Sequence, residues 1–313
     1  MMETFLHAVS SVCVILLLTA VGYYCSARGW ISPDAKSFLS KFVLRMAMPI
    51  MCAYDLRAHL TRDLIAASLP ILVLTFFAEV LLFLLSFLAA KLLRLPRRSI
   101  GVFMMMSSLS NSIFIGYTMC LELFGEACTP YVMLFYLVNT TFVQMVGLTL
   151  IRWSGEHERH SLAQSLLGFI KTPSVLGVLA GFLLVLLDIH LPQTISSTAR
   201  YISNTVSPIA LILAGHIIHE IGLRNIRFDR VIASAMGFRF LLSPALSVFF
   251  CALFGVTGLG RDVLAVEMAM PVVTITVVGA AEYGADEALA AQGVALSTLA
   301  CFVVTPILMV LLG

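Results

Sequence analysis

Charged residues are scarce in this sequence. Only 12% of its 313 residues are Asp, Glu, Lys or Arg, whereas 60% are hydrophobic, and the mean hydropathy is +1.01. So few charges cannot cover a surface that faces water, so the composition excludes a water-soluble globular protein. The 19 basic residues form no basic face, which argues against nucleic-acid binding.

Sequence patterns typical of enzymes and metal proteins are also missing. The seven cysteines are dispersed without close metal-ligand spacing, which argues against a zinc site and a disulfide framework. There is no G-x-S-x-G, no H-E-x-x-H and no glycine-rich phosphate loop before a lysine. The run from His216 to Glu220 is H-x-x-H-E and lacks the third ligand of a zinc protease. We therefore expect no metal, no cofactor and no enzymatic activity.

Long apolar runs are abundant. They exceed the roughly 20 residues that a helix needs to cross the hydrocarbon layer, and they lack the alternation typical of membrane barrels. The sequence therefore predicts an all-α integral membrane protein with ten transmembrane helices. We place the spans at about 5–24, 36–54, 64–91, 100–121, 130–151, 173–189, 197–220, 231–254, 262–281 and 288–312.

The chain repeats itself. Pro49 and Pro208 lie 159 positions apart (208 minus 49), and the same offset aligns Pro33 with Pro192 and Gly101 with Gly260. Five spans per copy is an odd number, so the copies are predicted to be inverted in the membrane, as in many secondary transporters. The predicted units are 1–153 for the first five-helix repeat, 154–172 for a cytoplasmic linker and 173–313 for the second repeat.

Basic residues in the short loops predict the orientation. Twelve lie on one side of the predicted spans and four on the other, which places the first group in the cytoplasm and both termini outside. The twelve are Arg28, Lys36, Lys91, Arg94, Arg97, Arg98, Arg152, Arg159, Lys171, Arg224, Arg227 and Arg230. The four are Arg57, Arg62, Arg200 and Arg261.

Helix breakers interrupt several spans, and Pro49 and Pro208 do so at corresponding positions of the two copies. The fourth span carries a polar cluster from Ser107 to Ser112 that includes Asn111. Such residues pack helices closely, or they line a substrate cavity if Asn111 and Gly116 mark an unwound segment. The repeat offset places Pro271 of span nine opposite Ser112. The sequence therefore predicts broken helices in spans four and nine that meet at the bilayer midplane.

Ionisable residues within the predicted spans call for a reason, because charges are costly in hydrocarbon. Arg239 in span eight is the first candidate to bind an anionic substrate. Glu79 in span three and Glu267 in span nine are candidates to carry a coupling proton. The structural alternative is that Arg239 and Glu267 pair with each other and never contact substrate.

Several motifs resemble the auxin efflux carrier family, which includes the plant PIN carriers and bacterial and fungal carriers linked to malonate and malate. The resemblance runs nearly end to end and is most specific at Asn111–Gly116 (NSIFIG), at Asn204–Pro208 (NTVSP) and at Met270-Pro271. One departure is Thr118, where many members have a proline that marks the broken helix.

The resemblance implies ten spans in two inverted repeats. Spans 1, 2, 6 and 7 would form a scaffold that often dimerises, and spans 3–5 and 8–10 a transport domain that moves in an elevator-like step. It also makes Asn204 and Pro208 helix-break positions. The implied substrate is a small organic anion, with a proton or a sodium ion as candidate coupling ions, although no sodium-site signature is recognisable.

The leading hypothesis is a secondary transporter in the cell membrane. An intramembrane hydrolase and a passive channel stay open as alternatives. The residues predicted to bind substrate or to line its site are Asn111, Phe114, Gly116, Tyr117, Thr118, Arg239, Pro271 and Thr274.

Overall fold

The computed structural model describes residues 2–60, 62–155, 173–222 and 228–312. The predicted linker 154–172 falls almost wholly outside these ranges, as do Arg159, Lys171, Arg224 and Arg227. Within the described residues the only β-type pairing is one isolated bridge, so the prediction of an all-helical protein is confirmed.

Sixteen α-helices make up the described chain: α1 (Met2–Ala27), α2 (Pro33–Phe42), α3 (Met48–His59), α4 (Arg62–Leu92), α5 (Arg97–Ser108), α6 (Thr118–Phe124), α7 (Thr129–Phe142), α8 (Leu148–Ser154), α9 (Pro173–Leu186), α10 (Gln193–Ser203), α11 (Val206–Ile221), α12 (Arg230–Gly237), α13 (Ser243–Phe254), α14 (Leu259–Met268), α15 (Ile275–Glu282) and α16 (Glu287–Leu312). Four π-helical segments lie between some of them: Val43–Ala47, Ser112–Tyr117, Val143–Gly147 and Phe238–Leu242. A 3₁₀ turn, Glu126–Cys128, precedes α7.

Six stretches of the described residues are long and apolar enough to cross a membrane: Val9–Ala27, Leu69–Leu92, Glu126–Ser154, Gln193–Glu220, Arg230–Phe254 and Glu287–Leu312. Two shorter apolar helical stretches, Ser112–Phe124 and Pro173–Leu186, accompany them. Their length and hydrophobicity define a multi-pass membrane protein.

The surface is apolar and the interior holds polar groups, which is the arrangement that lipid favours. Many large hydrophobic side chains lie on the surface, such as that of Leu241, which is 73% exposed, whereas Glu79, Arg239 and Glu267 are completely buried. A charged side chain within a membrane span normally faces the protein interior for this reason. The three ionisable residues singled out in the sequence therefore lie inside the helix assembly.

Local sequence accounts for several helix ends. The Ser32 hydroxyl accepts a hydrogen bond from the Ala35 N–H at the start of α2, and the Asp229 carboxylate accepts two at the start of α12. Gly255 ends α13 in the left-handed conformation, with φ of +71°, which a residue without a Cβ adopts at little cost.

Two pairs of helices that join the first and second halves of the chain pack backbone against backbone. A Cβ on Gly22 of α1 would clash with the Ile212 carbonyl of α11, and one on Gly215 would clash with the Thr19 carbonyl of α1. Helices α3 and α9 form the second close pair, where a Cβ on Gly177 would clash with the Pro49 carbonyl. Small residues permit this close approach of membrane helices.

The prediction that Pro49 breaks its helix is wrong. The chain stays helical from Pro33 to His59 and widens into the π-helical segment Val43–Ala47 directly before Pro49. The wider turn relieves the clash between a proline ring and the carbonyl four residues earlier. Pro208 lies just after a real interruption, because α10 ends at Ser203 and α11 begins at Val206, with Asn204 in the turn between them.

Candidate functional site

The fourth and ninth predicted spans are both interrupted, and the interruptions touch. Helix α5 ends at Ser108, and the chain is extended or irregular over 109–111 before the π-helical segment begins at Ser112. Helix α14 ends at Met268, and α15 begins at Ile275. We call the region where segments 109–111 and 269–274 meet the crossover.

Backbone pairing joins the two segments. The Asn111 N–H donates to the Pro271 carbonyl at 2.7 Å, and Ser110 and Val272 form an isolated antiparallel bridge. Two extended segments in the protein interior satisfy each other's backbone groups in this way, as strands do in a sheet. The crossover therefore brings together Asn111 and Pro271, which sequence reasoning had placed in one site.

A side-chain amide from α7 holds the first interrupted segment. Asn139 accepts from the Ser110 N–H at 3.2 Å and donates from Nδ2 to the Ser110 carbonyl at 2.9 Å and to the Ser112 hydroxyl at 3.3 Å. This amide supplies both partners that Ser110 would have had in a helix. Sequence reasoning missed Asn139, although a lone amide within the apolar run of α7 was the available signal.

A hydroxyl group from α16 holds the second interrupted segment, 269–274, by a hydrogen bond to its backbone. The Val272 N–H donates to the Ser297 Oγ at 3.0 Å. The repeat offset of 159 residues carries Asn139 to position 298, so Ser297 lies next to the position equivalent to Asn139. Each interrupted segment is therefore held by a polar side chain from the second α-helix that follows it in the chain.

Glu267 lies directly against Gly116. A Cβ built on Gly116 would lie 2.5 Å from Oε2 of Glu267 and 2.8 Å from its Oε1, closer than any normal contact. The carboxyl group accepts a hydrogen bond from Cys120 Sγ at 3.6 Å, while Oε2 has no partner. Only glycine at position 116 leaves room for this buried carboxyl. The ninth predicted span therefore carries the acid, and the fourth provides the space that the carboxyl group occupies.

Arg239 binds the same end of α14, at the residue that follows Glu267. Its Nη2 donates to the Met268 carbonyl at 2.5 Å and to the Ser243 Oγ at 2.8 Å. The alternative, an ion pair between Arg239 and Glu267, is not formed, and among the described residues neither side chain takes part in a salt bridge. Arg239 therefore lies beside the crossover, on the carbonyl of the last residue of α14.

The remaining predicted site residues have varied surroundings. Tyr117 donates its hydroxyl to Asp55 of α3 at 2.8 Å, and Thr118 begins α6 with its hydroxyl 3.5 Å from the Phe114 carbonyl. Phe114 is partly buried, as is Thr274, which precedes α15 as its N-cap. Glu79 is buried on α4 without a hydrogen-bond partner and lies apart from these contacts.

The interruption at span four does not need the proline that Thr118 replaces. The chain leaves the helix at 109–111, seven residues before Thr118, and regains it through a π-helical segment. π-helical turns of this kind are frequent at functional sites. Buried polar atoms without partners cluster here, namely Asn111 Nδ2, Ser107 Oγ and Ser110 Oγ.

A multi-pass helical membrane protein with two interrupted helices that meet in its interior is the architecture of a membrane transporter. Comparison with known proteins agrees. Residues 7–309 match the family described as membrane transport protein, so the chain belongs to this family, the auxin efflux carrier family.

Two archaeal relatives match the chain over almost its full length. An uncharacterized transporter of Methanocaldococcus jannaschii is 25% identical over 291 residues, which cover 92% of this chain and 93% of the relative. An uncharacterized transporter of Methanothermobacter thermautotrophicus is 24% identical over 310 residues, 98% of this chain and 99% of the relative. The protein is therefore a membrane transporter by family, as the motifs of its fourth, seventh and ninth spans indicated.

Proposed function

We propose that this protein is a secondary transporter of a small organic anion, such as a mono- or dicarboxylate, and that it works by an elevator-type exchange of access between the two membrane faces. The observation that carries the proposal is the crossover, where Asn111 pairs with Pro271 in the buried interior. Unpartnered polar atoms beside this pair, among them Asn111 Nδ2, are available to a polar solute. Asn111, Gly116 and Pro271 are the proposed site elements, lined by Phe114, Tyr117, Thr118 and Thr274.

The proposal includes ten passes in two inverted repeats, 1–153 and 173–313. Helix packing supports it, because α1 packs most extensively with α11 and α3 with α9, and the repeat offset converts one pair into the other. Gly22 and Gly181 are 159 residues apart, and each lies at a close approach within its pair. These helices correspond to spans 1, 2, 6 and 7, the proposed scaffold and dimer interface.

The remaining helices form the proposed transport domain. Helix α4 packs on α5, and α13 packs on α14, which again are pairs related by the repeat. In the proposed topology both termini face outward across the cell membrane. Substrate movement would be coupled to that of a proton or a sodium ion. Glu267 is the first candidate carboxyl for this role, because it lies two residues before segment 269–274 and contacts Gly116 of the other interrupted span.

The first test is thermal stabilisation of the detergent-purified protein by a panel that contains malonate, malate and indole-3-acetate, at two pH values and with and without sodium. A ligand that binds the folded state raises its melting temperature by mass action. We expect a carboxylate to stabilise the wild type and to have no effect on Asn111→Ala. The matched control is Gln193→Ala, since this amide is exposed at the start of α10.

Proteoliposome counterflow separates a carrier from the alternatives. A carrier exchanges labelled internal substrate for unlabelled external substrate, whereas a passive channel gives uptake without such exchange. A hydrolase would release a product from the ligand during the assay. Stabilisation that persists unchanged in Asn111→Ala would show that the substrate does not bind at the crossover.

A further inference from the structure

The side chain of Arg239 is completely buried within a predicted span, where a charge is costly and needs polar partners. It belongs to the π-helical segment Phe238–Leu242 between α12 and α13. Its Nη2 reaches the Met268 carbonyl at 2.5 Å, and the Ser243 hydroxyl donates to the same carbonyl at 2.7 Å. One carbonyl oxygen, the last of α14, therefore receives two side-chain donors.

The sequence around Pro271 explains why this carbonyl needs them. In a continuous helix the Met268 carbonyl would accept from the N–H of residue 272. The Val272 N–H donates instead to Ser297, and Pro271 has no N–H to offer. The carbonyl is thus left free by the interruption of the helix, in an interior where an unpaired carbonyl is costly. A cation at a helix C-terminus also complements the negative end of the helix dipole.

Glu79 supplies the opposite charge. It is completely buried on α4, which packs against α13, and within the described part of the chain both of its oxygens lack hydrogen-bond partners. Among the described residues, neither Glu79 nor Arg239 takes part in a salt bridge, so each is a buried ionisable group without a direct ion-pair partner. The two groups are farther apart than a direct ion pair. Glu79 aligns with residue 238 under the repeat offset, so the pair comes from nearly equivalent places in the two copies.

We infer that Arg239 is a positioning residue which fixes the interrupted end of α14 through the Met268 carbonyl, with Glu79 as its counter-charge. The inference rests on the proposed function, because it concerns the crossover that the proposal makes the substrate site. It reassigns Arg239: the guanidinium holds one side of the site in place and does not touch the transported anion.

The first experiment compares the melting temperatures of four purified proteins: wild type, Arg239→Gln, Glu79→Gln and the double variant. Each single change leaves one buried charge without its partner, so we expect both to melt several degrees lower. The double variant removes both charges and should recover most of that loss. Additive losses in the double variant would overturn the assignment of Glu79 as counter-charge.

Hydrogen exchange tests the effect on α14 directly. We expect the amides of Ala269, Met270 and Val272 to exchange roughly tenfold faster in Arg239→Gln, because a hydrogen bond from a charged donor is lost at that helix end. Ser243→Ala keeps both charges and removes the second donor, so it tests the same point if Arg239→Gln fails to fold. Arg57→Gln, at a partly exposed arginine of α3 that pairs with Asp188, is the control and should leave these amides unchanged. Unchanged exchange in both Arg239→Gln and Ser243→Ala would overturn the inference.

Ligand binding separates a positioning residue from a substrate ligand. If malonate or malate stabilises the wild type, we expect the double variant to keep an apparent Kd within about threefold of wild type, which is less than a lost charged contact would cost. Loss of that stabilisation in a well-folded double variant would show that Arg239 binds the anion. The melting and exchange measurements need no ligand, so they decide the inference even if the proposed function fails.

Discussion

Replacing Asn139 by leucine tests the brace of the crossover most directly. Leucine is close to asparagine in size but can neither accept from the Ser110 N–H nor donate to the Ser110 carbonyl, the contacts at 3.2 and 2.9 Å. Each buried group left unpaired costs about 1–3 kcal/mol, so the variant should lose about 2–5 kcal/mol of stability. We also expect transport to be lost, because segment 109–111 would no longer be held against Pro271.

The assay is the melting temperature of the purified protein in detergent, followed by counterflow in proteoliposomes. A loss of this size should lower the melting temperature by about 5 °C or more. Gln193→Leu makes the same change at an exposed amide and should stay within about 0.5 kcal/mol of wild type. If Asn139→Leu has the same melting temperature as Gln193→Leu and still transports, segment 109–111 keeps its conformation without the Asn139 side chain. That result would refute the reasoning from Asn139.

Two further predictions concern contacts between parts of the site. Gly116→Ala should abolish transport, because a Cβ there would lie 2.5 Å from Oε2 of Glu267 and displace the carboxyl. The control is Gly237→Ala, where the added Cβ meets open space and should stabilise the protein by about 0.5–1 kcal/mol. Equal transport by the two variants would contradict the predicted role of Gly116. Tyr117→Phe removes the 2.8 Å hydrogen bond to Asp55, and we expect an altered rate in proteoliposomes with an unchanged apparent affinity. An unchanged rate would show that breaking the hydrogen bond between Tyr117 and Asp55 does not limit transport in the wild type.

Much of the fold could be predicted because membrane helices have a strong local signal. Pro271 removes a backbone donor wherever it lies, so the interruption of span nine follows from the sequence itself. Asn111 and the serines before it compete with the helix for backbone hydrogen bonds, which indicated the interruption of span four. The repeat offset places the two interruptions at equivalent positions of the two copies.

The partners of these segments could not be predicted in the same way. Asn139, Ser297 and Ser243 act through contacts between residues far apart in the chain, and their roles depend on how neighbouring helices are rotated. Pro49 shows the opposite failure. A proline predicts a local clash, but the clash was relieved by a π-helical turn that left the helix unbroken.

The crossover has a consequence for how this protein could be divided. Segment 109–111 has its brace from Asn139 of the same half, but its backbone partner, Pro271, lies in the other half. Likewise, the carboxyl of Glu267 rests on Gly116. Neither half of the chain therefore forms the crossover alone. A fragment that contains one half would complete the crossover only by associating with the other half. A substitution at the crossover in either half would therefore alter contacts that both halves share.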